Sequence, residues 1–599
     1  MPQVLEQPTV DEARRSAKSL MRTCVLLGER SSLLALAVLI VLVFILYYAV
    51  LTPRSFGYYN DDAIYLSTAK ALATGRGYRL IDLPYEPAQT KYPPLFPFLL
   101  SVVWRVRPDF PANLASMFMV ARSASILAVI VTWRYLSRCR YATRWGALLI
   151  VGLAAINLNT VQFSVGVFSE MVYTLFAVMA LLLAERYAES EGSTALALML
   201  GLAMACAFLT RIAGITLPIA VGLYFLLNRR LKRALVPLAI SGAAVLAWSI
   251  WTHHNRTSFN EPNAIFHTDY LRYAYELVRD AHIANHRPLV VETARMLVKN
   301  LREFAGYWIP SETCGSYTDW LPTTPTGLQH VILRCVWLGG LLYMGIGLRR
   351  DRWRLLPIYL LLYIGLHVTL PYHTYDRYLA PILAFSILYM TKGLWEVNKL
   401  AWWRRASASS TSPASTGSAR IWAVLRFIGR GFGRGLTMVP VLAITAFGLV
   451  SYAAGLSNTL KHQKADAIER SYEDAPAFDW IETNTPATAV IATVQHPMYY
   501  MYTGRKATLC FATEGPPSPR QSWQIKQLLQ IIKTNKVDYL VLADSDFASQ
   551  PGDVDYTSVT EKLIDSGDIS LAFESPGEKV LIYRCNREDR AIRNAMPQS

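Results

Sequence analysis

From Ser31 to Thr52 the chain reads SSLLALAVLIVLVFILYYAVLT without one charged side chain. A stretch of this length and polarity has one stable solution, an α-helix across a bilayer. About 20 apolar residues span the hydrocarbon, and a helix satisfies every backbone N–H and C=O within its own segment. Comparable runs recur at about 112–136, 145–160, 163–186, 194–228, 234–252, 329–348, 355–371, 376–391 and 436–456. The run 194–228 is long enough for two short helices and is interrupted at Thr210, Arg211 and Gly214. The pattern predicts an α-helical polytopic membrane protein with about eleven spans. With 53% hydrophobic and 17% charged residues, the composition excludes an ordinary soluble enzyme of this size.

Charge orients the spans. The formal net charge is +16, but Lys and Arg gather in short segments between apolar runs, which is the positive-inside pattern and not a nucleic-acid surface. Arg14, Arg15, Lys18, Arg22 and Arg30 place residues 1–30 in the cytoplasm as a tail before a signal-anchor helix. Arg134, Arg138, Arg140 and Arg144, then Arg229, Arg230, Lys232 and Arg233, then Arg349, Arg350, Arg352 and Arg354 also fall inside. Loops 53–111 and 253–328 therefore face outward, and the second is too long for a simple connection.

The segment 392–435 is a cytoplasmic basic linker containing ASASSTSPASTGSA, and its Arg426, Arg430 and Arg434 share a helix face suited to membrane lipids. Residues 457–599 change character. AVIATV, DYLVLAD and KVLIYRC are strand-like runs among polar helical stretches, which predicts a small extracytoplasmic α/β domain. The seven cysteines show no CxxC spacing, so no structural zinc site is expected; a disulfide between Cys510 and Cys585 is permitted on that side.

The polar stretch Tyr58–Pro97 stands out within this apolar chain. It carries an acidic pair, Asp61 and Asp62, and a Lys91 close to Pro93 and Pro94. Ile64, Leu66, Ala69, Leu72 and Ala73 recur near helical spacing and predict an amphipathic helix on the bilayer surface, ended by Gly75 and Gly77. The acids read either as site residues or as helix N-terminal charges. Residues 95–104 form a short apolar piece expected as a surface or re-entrant helix.

Under the charge-derived topology, Glu170, Arg211, the pair His253 and His254, and Asp376 with Arg377 fall at the outer ends of spans, level with Asp61, Asp62 and Lys91. Ionisable groups in spans are costly and mark function. The set predicts a polar cavity that holds an anionic group together with a metal or an exchangeable proton. Arg122 lies roughly 14 Å into its span at 1.5 Å per residue and is expected to face the bundle interior. His253 and His254 are adjacent, so at most one of them, taken here as His254, reaches a common site.

YNDDAIYLSTAKALATGRGY followed by KYPPLFPFLL resembles the first outer loop of the polyprenyl-phosphate-dependent GT-C glycosyltransferases. Within them it is similar to the branch that contains dolichyl-phosphate-mannose protein mannosyltransferases and bacterial aminoarabinose transferases of lipid A. ARSAS around Arg122, FSEMVY around Glu170, FLTRIAG around Arg211 and DRYLAPIL around Arg377 extend the resemblance over about 55–390. It implies that Asp61, four residues before Tyr65, is essential for transfer, with Asp62 in the place of a second acid. It also implies that Lys91 binds the donor phosphate. Here Tyr92 separates that lysine from the prolines, and Thr90 stands where the lipid A branch has a Glu.

A fold of this kind is expected to be GT-C-like over 31–456. The expected chemistry is inverting transfer of a sugar from a polyprenyl-phosphate donor to an acceptor hydroxyl or phosphate, on a protein, lipid or polysaccharide, at the outer face of the inner membrane. Lys91, Tyr92, Arg211, Arg377 and Tyr378 are the candidate phosphate-binding groups. Tyr65, Arg122, Glu170 and His254 are the candidate cavity residues. Asp61 serves as base directly or through a divalent Mg, Mn or Zn ion. The competing reading is a lipid or glycan transporter that breaks no bond. Transporters of that kind usually show repeated halves, and no internal repeat is visible here.

Overall fold

The computed structural model describes residues 10–50, 56–57, 60–256, 263, 267–309, 327–370, 376–408, 464–510, 528–543, 556–577 and 579–586. The expected span at 436–456, the Arg426–Arg434 face and most of the linker lie outside these residues.

The bundle begins with α1 (Val10–Val50), α2 (Asp61–Ala73), α3 (Leu95–Val106) and α4 (Leu114–Arg138). It continues with α5 (Arg144–Ile156), α6 (Leu158–Val165), α7 (Glu170–Glu189), α8 (Thr194–Thr210), α9 (Thr216–Leu227) and α10 (Leu231–His254). Among the described residues, Glu29–Ala49, Leu114–Arg138, Glu170–Glu189 and Leu231–His254 are each long and apolar enough to cross a membrane, and α3, α8, Ile212–Leu227 and Leu355–Thr369 are shorter apolar pieces.

Local chemistry sets the breaks. Asn157 is extended (φ −61°, ψ 139°), and its Oδ1 accepts the N–H groups of Asn159 and Thr160, so α6 starts as a newly capped helix bent 65° from α5. Residues 158–165 therefore form a helix of their own between the runs expected at 145–160 and 163–186. The interruption expected in 194–228 is present. α8 ends at Thr210, Arg211 is extended (φ −146°, ψ 137°), and a 3-10 turn Ile212–Ile215 leads into α9. Gly214 permits this fold-back, because a Cβ there would lie 2.5 Å from Phe208 N and 2.6 Å from the Ala207 carbonyl carbon.

Beyond α10, α11 (Tyr270–Asn285) and α12 (Leu289–Asn300) lie in the long second loop, and a π-helical turn Leu301–Trp308 continues α12. α13 (Gly327–Arg350), α14 (Leu355–Thr369) and α15 (Leu383–Ala408) complete the bundle. The run expected to begin at 376 starts as a helix only at Leu383. Arg377 sits ahead of it on a one-turn 3-10 segment, Asp376–Tyr378.

After α16 (Lys464–Asn484), the C-terminal portion forms β1 (Val490–Ala492), α17 (His496–Thr503), β2 (Lys506–Thr508), β3 (Tyr539–Ala543), α18 (Tyr556–Asp565), β4 (Ile569–Glu574) and β5 (Val580–Cys585). The strands make one five-stranded sheet ordered β2-β1-β3-β5-β4, parallel on the β2-β1-β3 side and antiparallel across β3-β5-β4. β3 is buried from Leu540 to Ala543, as its uninterrupted apolar run requires. Cys510 and Cys585 are thiols buried in one apolar cluster of this sheet.

α2 departs from expectation in a way that matters for function. It is not a surface helix: Asp62 through Ala69 and Ala71 are all buried. One apolar cluster joins Ile64 and Leu66 of α2, Phe96 and Leu100 of α3, Phe118 of α4, Met498 and Tyr499 of α17, and Val541 and Ile582 of the sheet. The polar side of α2 is met as well. Asp82, fully buried, accepts from the Ser67 hydroxyl and lies 3.1 Å from His496 Nδ1, while Ala507 N–H donates to the Asp82 carbonyl at 2.9 Å. The sequence pattern on α2 showed which residues are apolar, but a second layer of protein takes the place expected for lipid.

Candidate active site

The first turn of α2 carries Asp61 and Asp62, and the two acids do different things. Asp62 is 2% exposed and turns into the chain ahead of the helix, where Gly57 N–H donates to Oδ2 at 2.8 Å and Ala63 N–H donates to Oδ1 at 2.8 Å. Burial pushes its pKa up to about 7, against the lowering effect of those two N–H groups. Asp61 points the other way. Arg377 Nη1 donates to its Oδ2 at 2.8 Å, and the Tyr92 hydroxyl donates to its Oδ1. Burial alone would raise this carboxyl, but Arg377 and then Lys91 outweigh it and hold the pKa below the usual carboxylate value.

From Asp61 an ionic chain runs through three elements distant in sequence. Arg377 Nε donates to Glu170 Oε1 at 2.8 Å, and Arg211 Nη1 reaches the same oxygen at 2.7 Å. Glu170, the first residue of α7, is wholly buried, while the side chains of Arg211 and Arg377 are each 14% exposed. Arg211 Nη1 also donates to Ser169 Oγ at 3.0 Å, and Ser169 shares a hydrogen bond of 3.1 Å with the Tyr65 hydroxyl. The Arg211 guanidinium lies 5.8 Å from the centre of the Tyr378 ring. The extended backbone at the end of α8 and the 3-10 turn before α15 are what carry the two arginines to one carboxylate.

Lys91 closes the cluster. Gln89 Oε1 accepts the N–H groups of Lys91 at 2.8 Å and of Tyr92 at 3.3 Å, and Trp251 Nε1 fixes the Gln89 carbonyl at 2.9 Å. This turn sets Lys91 Nζ among three rings, with centroids at 5.6 Å for Tyr92, 5.7 Å for Tyr270 and 5.1 Å for Tyr273. Burial lowers its pKa to about 8; Asp61 acts to raise it and Arg377 to lower it further.

The structure thus brings Asp61, Tyr65, Lys91, Tyr92, Glu170, Arg211, Arg377 and Tyr378 into one polar cluster at one end of the bundle. Asp62 adjoins it but faces away. Arg122 is 2% exposed within the bundle and shares no hydrogen bond or ion pair with the cluster. His254 is exposed at the end of α10, as is His253, so neither histidine belongs to the cluster. Sequence reasoning missed Ser169, Gln89, Tyr270 and Tyr273. The length of loop 253–328 was the available signal for the last two.

The donor set around Asp61 does not suit a divalent ion. Both carboxylate oxygens are engaged, by a guanidinium and a hydroxyl; Asp62 is turned away onto two backbone N–H groups, and Glu170 is bound between two guanidinium groups. Among the described residues no three His, Cys, Asp or Glu side chains converge as ligands. What the arrangement offers is cationic: Lys91, Arg211 and Arg377 gathered around two carboxylates.

A helical bundle whose first loop packs against a C-terminal sheet carries this acid and these cations together. Residues 91–253 match the family model for dolichyl-phosphate-mannose-protein mannosyltransferase. In fold the chain is similar to the oligosaccharyltransferase AglB from Archaeoglobus fulgidus in complex with an inhibitory peptide and a dolichol-phosphate, at 14% identity and TM-score 0.52, covering 94% of this chain and 75% of that one. It is also similar to ArnT from Cupriavidus metallidurans bound to undecaprenyl phosphate, at 11% identity and TM-score 0.50, covering 92% of this chain and 98% of that one. The Archaeoglobus fulgidus oligosaccharyltransferase in complex with Zn and sulfate aligns at 13% identity and TM-score 0.50, covering 92% and 73%. No curated protein matches the chain in sequence. At these identities the structural likeness establishes the fold, and the resemblance to polyprenyl-phosphate-dependent GT-C glycosyltransferases read from the sequence stands.

Proposed function

We propose that this protein is an inverting glycosyltransferase that moves a sugar from a polyprenyl-phosphate donor to an acceptor hydroxyl at the outer face of the inner membrane. In this reading residues 1–30 are cytoplasmic, residues 31–456 form the multi-pass catalytic body, and residues 457–599 form an extracytoplasmic α/β domain. The observation that carries the proposal is the meeting of Asp61 with Lys91, Arg211 and Arg377, contributed by four separate parts of the chain.

The chemistry follows from the charges. A sugar on a lipid phosphate already has a good leaving group. As the anomeric C–O bond breaks, its electron pair passes to the phosphate, and Lys91 with the two arginines stabilises the growing negative charge. Asp61 accepts the proton of the attacking hydroxyl. Its low pKa makes it a weak base, so proton transfer comes late, when the acceptor–carbon bond is largely formed. A single displacement inverts the anomeric centre. Tyr92 and Arg377 orient the two Asp61 oxygens, and the rings of Tyr270 and Tyr273 flank Lys91. The ArnT bound to undecaprenyl phosphate and the AglB bound to dolichol-phosphate support a lipid-phosphate donor for a chain of this fold.

The test is transfer from a defined undecaprenyl-phosphate sugar by purified protein in vesicles. Asp61→Asn should lower turnover by about 10²–10⁴-fold while leaving donor binding nearly intact, and Lys91→Ala should chiefly weaken donor binding. Equal turnover in folded Asp61→Asn and wild-type protein sinks the assignment. Movement of the intact donor across the vesicle without bond cleavage favours the transporter reading instead.

A further inference from the structure

Arg122 lies in the third turn of α4, one of the helices apolar enough to cross a membrane, and is 2% exposed. Arg211, Arg377 and Arg354 each have an acid at hand: Arg211 and Arg377 on Glu170, Arg377 also on Asp61, Arg354 on Glu185 at 3.3 Å. Among the described residues Arg122 has no such acid: its Nη1 lies 3.5 Å from Met119 Sδ, a weak acceptor, and its Nε and Nη2 have no hydrogen-bond partner among them. A guanidinium does not shed its proton in a protein, so the buried positive charge persists and calls for an anion.

The two idle atoms are informative. Nε and Nη2 form one edge of the planar guanidinium, the edge spaced to grip two oxygens of a single phosphate or carboxylate. The setting of this edge is apolar helix, which a water-borne ion enters only at great cost, whereas an amphiphile can carry its charged head there.

We propose that Arg122 is the recognition group of a lipid-phosphate site in the third turn of α4, separate from the Asp61–Glu170 cluster. The ligand is a phosphate group on a membrane lipid, held by the Nε–Nη2 edge of Arg122. A bilayer phospholipid and a polyprenyl phosphate present the same chemistry to this edge, and the experiment separates them. The site does not depend on the transferase reading.

Native mass spectrometry of the full-length protein, released from mild detergent, counts the phosphate lipids retained by wild type, Arg122→Met, Arg122→Lys and Lys91→Ala. Delipidated protein is then titrated with phosphatidylglycerol and, separately, with undecaprenyl phosphate. Wild type should retain one phosphate lipid more per chain than Arg122→Met. Arg122→Lys, which keeps the charge but not the fork, should bind that lipid at least tenfold more weakly. Lys91→Ala should retain it, which separates this site from the catalytic cluster. Tenfold preference for phosphatidylglycerol or for undecaprenyl phosphate identifies the source, and either supports the site. Equal retention by wild type and Arg122→Met overturns the proposal. Should Arg122→Met fail to fold, equal affinity of wild type and Arg122→Lys for both lipids overturns it as well.

Discussion

Replacing Glu170 by Gln is the sharpest test of the ionic cluster, because it changes charge with almost no change in shape. In the native protein a single oxygen, Glu170 Oε1, serves Arg211 at 2.7 Å and Arg377 at 2.8 Å in a position where Glu170 itself has no exposure. With glutamine the amide oxygen can still accept, but two guanidinium groups then share one remaining acid, Asp61, which pairs directly only with Arg377. Arg211 keeps Ser169 and the neutral amide oxygen as acceptors but has no acid paired with it. Removing one partner of a buried pair while leaving the other charged costs about 3–5 kcal/mol, and the isosteric exchange adds no cavity. Removing both charges in Glu170→Gln/Arg211→Met should recover roughly 2 kcal/mol of that loss, since the stranded charge is gone. Denaturant titration of the detergent-solubilised protein measures all four members of the cycle. A Glu170→Gln protein within about 0.5 kcal/mol of wild type, or a double variant equal to the sum of the singles, would show that these charges are not coupled as described.

Three other outcomes follow from the geometry. Lys91, with its pKa lowered to about 8, loses its proton as pH rises through that value, so donor KM should climb above pH 8 and Lys91→Arg should move the rise to higher pH. The linked effect on stability has the opposite sign: the folded pKa lies below the ordinary 10.5, so the contribution of Lys91 to stability increases from pH 8 to 10.5. For Asp62 the folded pKa of about 7 lies above 3.8, so stability should fall as pH rises from 4 to 7, by about 4 kcal/mol at most; Asp62→Asn should flatten that slope in a pH series of unfolding curves. Gly214→Ala should displace Arg211, because the added Cβ meets the backbone of Ala207 and Phe208, which cannot yield as a side chain tip could. Turnover in that variant should drop at least tenfold with the protein still folded, and unchanged turnover would mean that the fold-back does not set the arginine.

The sequence alone determined the membrane body, because long uncharged apolar runs leave the backbone no choice but helix, and it marked the break at Arg211 through the polar and glycine residues inside such a run. It also singled out Asp61, Lys91, Glu170, Arg211 and Arg377, since ionisable groups beside apolar helices are too costly to be casual. What covers α2 was decided only in three dimensions. The same spacing of Ile64, Leu66 and Ala69 suits a lipid surface or a protein layer, and residues more than 400 positions away, Met498 and His496 among them, supply the layer. The separate fates of Asp61 and Asp62 were likewise hidden, because adjacent residues on a helix point about 100° apart and only the packing says which one meets Arg377. The exclusion of His254, the ring box of Tyr270 and Tyr273 around Lys91, and the fork of Arg122, without an acid among the described residues, rest on the same cause. Hydropathy records how far a residue is from water, whereas partnership depends on where distant helices end.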